Sequence, residues 1–116
     1  MYLNLLKSKI HRATVTASNL NYEGSISIDK KLIKAANLYK FEKVEIYNIC
    51  NGNRFETYII EGKAGEISLN GAAARLVQVG DLIIIASYSF VEVEKTKTHK
   101  PTLVFVNKNN IIKKIK

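Results

Sequence analysis

The chain has 116 residues and a mass of 13.0 kDa, enough for one hydrophobic core and too little for two. Apolar residues make up 47% and charged residues 24%, which excludes a disordered or fibrous protein. The net charge is +8, and the single cysteine, Cys50, excludes an internal disulfide and a cysteine-based zinc site. With no long apolar run and no signal-like start, we expect a cytoplasmic single domain, residues 1–116, without a membrane span.

Short strands dominate the first half of the chain. The stretch from Ile10 to Val15 and the alternation in Ser25–Ile28 are typical of strands. Asp29 is a suitable N-cap for a short helix. The apolar residues of that helix share one face, and they are Leu32, Ile33 and Ala36. Two further strands, Val44–Ile46 and Phe55–Ile60, flank the turn dipeptide Asn51-Gly52, which predicts a tight hairpin.

The second half continues this pattern. Gly71–Leu76 has the composition of one or two helical turns, and Leu82–Ala86 is typical of a strand buried on both faces. The other predicted strands are Ile67–Leu69, Val91–Glu94 and Leu103–Val106. Residues 107–116 are predicted to form a turn and a frayed tail. Many short strands with one or two short helices predict a mostly β fold, closed into a small barrel that leaves few unpaired edges.

Three motifs distinguish this sequence from an ordinary small β protein. They are Tyr22-Glu23-Gly24-Ser25 before a strand, the hairpin segment from Asn51 to Tyr58, and Asn70-Gly71-Ala72-Ala73-Ala74. In these motifs the chain resembles the pyruvoyl-dependent aspartate 1-decarboxylases, lyases that form β-alanine for pantothenate and coenzyme A biosynthesis. The resemblance implies a six-stranded double-psi β-barrel and a homotetramer of cleaved protomers.

The resemblance also implies that the chain is a zymogen that cuts itself between Gly24 and Ser25. The Ser25 hydroxyl would attack the preceding carbonyl, giving a small chain 1–24 and a large chain 25–116 that starts with a pyruvoyl group. Thr57 would polarise the carbonyl of the cleaved bond and contact substrate. Because Gly24 lacks a Cβ, its backbone can enter strained or positive-φ geometry that brings its carbonyl to the hydroxyl. No metal and no pyridoxal phosphate are implied.

The resemblance assigns the remaining roles in the decarboxylation of L-aspartate. The pyruvoyl ketone would form a Schiff base with the substrate amine. Arg54 offers a bidentate fork for the substrate carboxylate that stays, Lys9 offers a second charge, and His11 is an additional candidate for carboxylate binding. Tyr58 would return a proton to the reacting carbon, because a phenol is protonated at neutral pH.

The substrate loop predicted by the resemblance consists of small residues after a polar one. Asn70 would fix the reacting linkage through its amide, and the backbone of Gly71, Ala72 and Ala73 would meet the anionic substrate. A departure from many relatives is Tyr47, which stands where they carry tryptophan.

Strand alternation places Arg54 and Tyr58 on one face of the predicted return strand and Thr57 on the other. Either a bulge redirects Thr57, or Thr57 faces the site of a different subunit. The sequence leaves both alternatives open.

A second hypothesis comes from the charge alone. A basic β-barrel could bind nucleic acid through its lysines. The cations include only three arginines, however, and the lysines are scattered along the chain. We therefore favour the decarboxylase, with L-aspartate as its partner and no nucleic-acid or membrane partner.

Overall fold

A computed structural model describes the whole chain, Met1–Lys116, and most of it is β-strand. The strands are β1 (Tyr2–Thr14), β2 (Ala17–Asn19), β3 (Ser25–Asp29), β4 (Lys43–Asn48), β5 (Arg54–Gly62), β6 (Ile67–Asn70), β7 (Leu82–Glu92), β8 (Thr102–Val106) and β9 (Ile112–Ile115). The helices are α1 (Lys30–Ala35) and two 3-10 helices, Gly71–Leu76 and Val93–Thr98. The predicted fold class is confirmed. None of the helices has the length and apolar character needed to cross a bilayer.

The strands close into a ring because β1 and β2 are successive parts of one extended run. β1 pairs with β7, whereas β2 pairs with β6 at the other end of the strand order. Between them, Thr16 donates its backbone N–H to the Ile67 carbonyl at 2.8 Å. The ring therefore consists of the β1–β2 run, β6, β3, β5, β4 and β7, as expected for a small closed barrel. β8 and β9 lie outside it, with β8 parallel to β1.

Branched aliphatic side chains fill the barrel. Alternation turns one side of each strand inward, and β-branched residues favour strands. The largest fully buried side chains are Ile10, Ile26, Ile28, Leu32, Ile46, Ile59, Ile67, Leu69, Ile83, Ile85, Val15 and Val44. Burying each large aliphatic side chain contributes about 1.5–3 kcal/mol. The outer sides of the strands are therefore free to carry polar and chemically active groups.

The apolar run in β7 is not buried on both faces, so that prediction is wrong for the single chain. Ile83 and Ile85 point into the core, but Leu82 and Ile84 lie half-exposed on the outer side. The barrel has only one interior, and no second layer of this chain covers the outer face. β7 also extends to Glu92 as one strand, and the chain turns into a 3-10 helix at Val93.

The predicted helix cap is confirmed. Asp29 Oδ1 accepts a hydrogen bond from the Lys31 backbone N–H at 2.8 Å, so the side chain satisfies a donor at the start of α1. The second oxygen, Oδ2, accepts from the Gly65 N–H at 2.8 Å. One carboxylate therefore fixes both the helix and the turn before β6.

The predicted frayed tail is wrong, because residues 112–115 form β9 and pair antiparallel with β8. Asn110, only 3% exposed, holds this segment. Its Oδ1 accepts from the Thr14 N–H at 2.7 Å, and its Nδ2 donates to the Thr14 and Gly65 carbonyls at 2.9 and 3.0 Å. A buried amide that completes the backbone pairing of β1 keeps the carboxyl-terminal residues on the barrel.

Asn110→Asp is expected to lower the free energy of unfolding by about 2–3 kcal/mol, because the carboxylate cannot donate to the two carbonyls that the amide now satisfies. The matched control is Asn109→Asp, which introduces the same charge at an exposed neighbour. Urea and thermal unfolding of both variants measure the difference. Equal stabilities for the two variants would contradict this role of Asn110.

Candidate active site

Ser25 lies at the first position of β3, on the outer side of the barrel wall. Ile26 faces the core opposite Leu69, so the residue before it, Ser25, faces outward opposite Asn70 on β6. Ser25 is nevertheless only 1% exposed. The serine predicted to be the nucleophile is therefore shielded from solvent at the point where a loop enters a strand.

Hydrogen bonds fix the Ser25 hydroxyl. Its Oγ accepts from Asn70 Nδ2 at 2.9 Å and donates to the Glu23 carbonyl at 3.1 Å. The same amide donates to Ser27 Oγ at 3.1 Å. Asn70 thus spans two outward-facing serines of β3 and holds the hydroxyl next to the predicted cleavage bond.

Gly71 touches the backbone of the predicted cleavage segment. It has φ +67°, and a Cβ at this position would lie 2.7 Å from the Gly24 Cα, 2.8 Å from the Gly24 N and 3.1 Å from the Tyr22 carbonyl oxygen. Such distances are too short for real Cβ atoms. Only glycine fits here, for its conformation and for its size.

Gly24 does not have positive φ in the uncut chain. A Cβ added to it would meet nothing within 4 Å. The glycine whose missing side chain matters is the one that contacts Gly24, namely Gly71. The two glycines belong to two separate sequence motifs, and only the fold brings them into contact.

The alanines after Gly71 continue the 3-10 helix. Ala72 is exposed, Ala73 is half-buried against the core and Ala74 is buried. The Ala74 carbonyl accepts a hydrogen bond from Ser18 Oγ at 3.0 Å. Contact of this backbone with a substrate stays a prediction.

Tyr58 lies on β5, next to Ser25 on the directly paired strand β3. β3 and β5 run parallel with Ile26 opposite Ile59, so the preceding residues, Ser25 and Tyr58, lie about 5 Å apart at the backbone. Ile26 and Ile59 face the core, and alternation turns Ser25 and Tyr58 to the outer side. The phenol is 37% exposed. The predicted proton donor and the predicted nucleophile thus share one face.

Thr57 points to the opposite side of β5, as alternation predicts. Its partner across the ladder is Val44, which is buried in the barrel. The β4–β5 register is unbroken from Lys43 opposite Tyr58 to Tyr47 opposite Arg54, so the bulge alternative is wrong. The parallel register with β3, continued by two residues before Ile26 and Ile59, sets Thr57 level with Gly24.

The predicted cations occupy another part of the outer surface. Lys9 lies opposite Ala86 on β7, and Ala86 lies opposite Glu45 on β4. Arg54 begins β5 after the predicted hairpin turn, in which Gly52 has φ +78°. The Arg54 guanidinium stacks on the ring of Tyr47, with Cζ 4.2 Å from the centroid. Lys9 and Arg54 therefore share one face of the barrel.

His11 joins this face at an irregularity of β1. The register with β7 shifts between Ile10 and Ala13, and Arg12 has φ +63°. The His11 ring packs edge-on against Phe105 at 5.3 Å, and its buried Nδ1 has no hydrogen-bond partner. Burial lowers the His11 pKa, and the charges of Lys9 and Arg12 lower it further, so the imidazole is neutral at pH 7.

One chain does not bring the cations to Ser25. Arg54 precedes Tyr58 by four residues, which corresponds to about 13 Å along a strand. A surface cavity of about 840 Å³ reaches Tyr22, Ser27 and Asn70. Neither the pair Ser25 and Tyr58 nor the predicted carboxylate-binding residues line it, the latter being Arg54, Lys9 and His11. The structure thus brings Ser25, Asn70 and Tyr58 together on neighbouring strands, turns Thr57 to the other side of β5, and places the predicted carboxylate-binding residues elsewhere.

Sequence reasoning missed one polar residue close to Ser25 and one close to Tyr47. Ser27 shares Asn70 with Ser25, and the signal was available, because alternation in β3 places both serines on the same side. Tyr88 contacts Tyr47 through the two hydroxyl groups at 2.7 Å. A local sequence pattern does not show which residues of different strands lie opposite each other. The contact between Tyr47 and Tyr88 could therefore be found only from the strand register.

Comparisons with known proteins show the family of this chain. The family model for aspartate decarboxylase matches residues 1–113. The chain is 63% identical to an aspartate 1-decarboxylase of Hydrogenobaculum sp. (strain Y04AAS1), covering 97% of this chain and 90% of that one. It is 60% identical to that of Caldicellulosiruptor bescii, with 97% and 89% covered, and 59% identical to that of Bdellovibrio bacteriovorus, with 100% and 94% covered. The chain belongs to the aspartate decarboxylase family.

Proposed function

We propose that this protein converts L-aspartate to β-alanine and CO₂ after cutting its own chain at Ser25. The observation that carries the proposal is the Ser25 hydroxyl, held by the Asn70 amide, with Tyr58 on the neighbouring strand, in a member of this family. A buried hydroxyl with fixed partners, beside a carbonyl and an outward-facing phenol, supports main-chain cleavage followed by proton transfer.

The cleavage uses the chain's own atoms. The Ser25 Oγ attacks the Gly24 carbonyl carbon, and the amide bond shifts to an ester as the Ser25 nitrogen becomes an amine. Elimination then breaks the ester into a Gly24 carboxylate and a dehydroalanine. Water hydrolyses the dehydroalanine, releasing ammonia and leaving a ketone at residue 25. Asn70 positions the attacking oxygen, and Gly71 limits where the Gly24 backbone can lie.

The residues around Ser25 fit the pyruvoyl group that this cleavage would leave. That group supplies a carbonyl that condenses with the substrate amine and withdraws electrons while CO₂ leaves. Asn70, whose amide now donates to Ser25 Oγ, would be a hydrogen-bond donor beside that group. Tyr58, on the neighbouring strand and the same face, would donate a proton to the carbon that has lost CO₂.

We place the side-chain carboxylate of aspartate on Arg54, with Lys9 and His11 beside it. Because a single chain separates these residues from Ser25, the site needs the cationic face of a second copy. A homotetramer of cleaved protomers, with sites between subunits, meets this requirement and is our proposed assembly. We propose that the enzyme acts in the cytoplasm and supplies β-alanine for pantothenate and coenzyme A biosynthesis.

Tyr58→Phe is expected to cut itself normally and to lose at least 100-fold in kcat, because general acid catalysis contributes about 10²–10⁴-fold. The matched control is Tyr39→Phe, an exposed tyrosine outside β3 and β5. Mass spectrometry measures cleavage and β-alanine formation measures turnover. A Tyr58→Phe variant that remains uncut yet active would overturn the assigned role.

The proposal as a whole is tested by incubating purified protein with L-aspartate and measuring β-alanine and CO₂. We also expect hydroxylamine to react with a carbonyl at the start of the 25–116 fragment. The nucleic-acid hypothesis predicts instead an uncut chain with steep, salt-dependent binding to duplex or single strands. The family comparisons support the decarboxylase and add nothing to that alternative. An aged preparation that is one intact chain with no reactive carbonyl would refute our proposal.

A further inference from the structure

The guanidinium of Arg54 is held by an aromatic ring and by no acidic group. The three ion pairs of the chain are Lys7–Glu42, Lys30–Glu61 and Lys43–Glu56. The ring of Tyr47 covers one face of Arg54, with Cζ 4.2 Å from its centroid. Stacking uses the face of a guanidinium and leaves its in-plane N–H groups available. A small cavity of about 270 Å³ lies beside both side chains.

The Tyr47 ring is itself anchored by two hydroxyl contacts. Tyr47 Oη donates to Glu45 Oε1 at 3.1 Å and lies 2.7 Å from Tyr88 Oη. Since the single Tyr47 proton goes to Glu45, the Tyr88 hydroxyl donates to Tyr47. Burial and these hydrogen bonds raise the Tyr47 pKa, so the donor stays protonated across the working range of pH.

The strand register explains why these groups meet. Tyr47 lies directly opposite Arg54 on β5 and opposite Ile84 on β7. Glu45 precedes Tyr47 by two residues and therefore shares its face. The Tyr47 ring extends along the sheet toward Glu45, where Tyr88 can reach its hydroxyl from β7.

We propose that Tyr47 and Tyr88 are positioning residues that fix Arg54 for the side-chain carboxylate of the substrate. The inference rests on the proposed function, and it gives Tyr47 and Tyr88 a role in substrate binding. An arginine loses considerable rotamer freedom when it binds a carboxylate. A ring platform that restricts the guanidinium beforehand reduces this loss, so the pair should act on substrate affinity more than on the chemical step.

The test uses succinate as a probe, because it carries two carboxylates and no amine to react with a carbonyl. Tyr47→Leu removes the platform and is expected to raise the succinate Kd and the aspartate KM by about 3- to 10-fold. We expect kcat to change by less than about 2-fold and self-cleavage to remain complete. Tyr39→Leu is the matched control, since Tyr39 also lies under a cation, Lys7, at 5.1 Å.

The hydroxyl contact is tested separately, with variants that keep both rings. Tyr88→Phe should raise the succinate Kd by about 2- to 3-fold, which is the order of one exposed hydrogen bond. Tyr47→Phe should raise it at least as much, because it loses the contact to Glu45 as well. The double variant should be no weaker than the worse single one, because both changes remove the same contact. Tyr2→Phe, which loses an exposed hydroxyl contact to Glu92 at 3.5 Å, should leave binding unchanged.

The result for Arg54→Gln separates this inference from the proposed function. If Arg54→Gln weakens succinate while Tyr47→Leu and Tyr88→Phe do not, the positioning role is refuted and the carboxylate site stands. If Arg54→Gln itself leaves succinate binding unchanged, the carboxylate site falls and the inference falls with it. Additive losses from the two phenylalanine variants would overturn the role of the hydroxyl pair, and those variants remain informative should Tyr47→Leu not fold.

Discussion

Replacing Ser25 by Ala is expected to leave purified protein as one chain of 116 residues with no decarboxylase activity. Wild-type protein is expected to yield fragments 1–24 and 25–116, the larger with a blocked amino terminus. The substitution removes only the Ser25 hydroxyl. Without this group nothing attacks the Gly24 carbonyl, so neither the cleavage nor the new carbonyl at residue 25 can follow. Denaturing electrophoresis and intact mass measure cleavage, and β-alanine formation measures activity.

Ser27→Ala is the matched control for this change. Ser27 lies on the same strand and face and also accepts a hydrogen bond from Asn70, at 3.1 Å. It does not adjoin the bond between Gly24 and Ser25, so we expect Ser27→Ala to cleave fully. A Ser25→Ala preparation that still divides at this bond would show that another nucleophile acts.

Gly71→Ala is expected to reduce self-cleavage at least 10-fold in rate, because its Cβ would lie 2.7 Å from the Gly24 Cα. The contacting atoms belong to the backbone of the cleavage segment, so the segment itself must move. A shift of this kind would separate the Gly24 carbonyl from the hydroxyl that Asn70 holds, and misplacement by about 1 Å can cost 100-fold in rate. The time course of fragment formation measures the effect.

Gly52→Ala separates the contact from general backbone strain. Gly52 has φ +78°, close to the φ +67° of Gly71, but a Cβ there would meet nothing within 4 Å. Each change forces alanine into the left-handed region, at a cost of about 1–2 kcal/mol. We expect Gly52→Ala to lose some stability and to cleave at the wild-type rate. Equal cleavage rates for the two variants would mean that the Gly71 contact does not position Gly24.

Within one chain the site residues form two separate groups, which is why we propose that a second copy completes the site. Ser25, Asn70 and Tyr58 come together on β3, β6 and β5, whereas Arg54 and Lys9 belong to the face formed by β1, β7, β4 and β5. In our proposal cleavage uses Ser25 and Asn70 and does not use the cations, because the reacting atoms all lie in one loop and strand. We therefore expect some variants to change the rate of self-cleavage and other variants to change substrate affinity.

Local patterns in the sequence were enough for much of the fold and for part of the site. Asp29 as a helix cap, the turn at Asn51-Gly52 and the opposite faces of Tyr58 and Thr57 depend on residues within a few positions of one another. Such features follow from backbone geometry and periodicity, which the order of residues determines directly.

Contacts between distant segments were decided only by the tertiary structure. The sequence could not show that Gly71 contacts Gly24, that Tyr47 supports Arg54 and bonds Tyr88, or that Asn110 holds the carboxyl-terminal strand. The order of residues on its own determined strand periodicity, turn chemistry and the resemblance to a family. Ring closure and register determined which side chains meet, because these depend on how strands far apart in the chain pair.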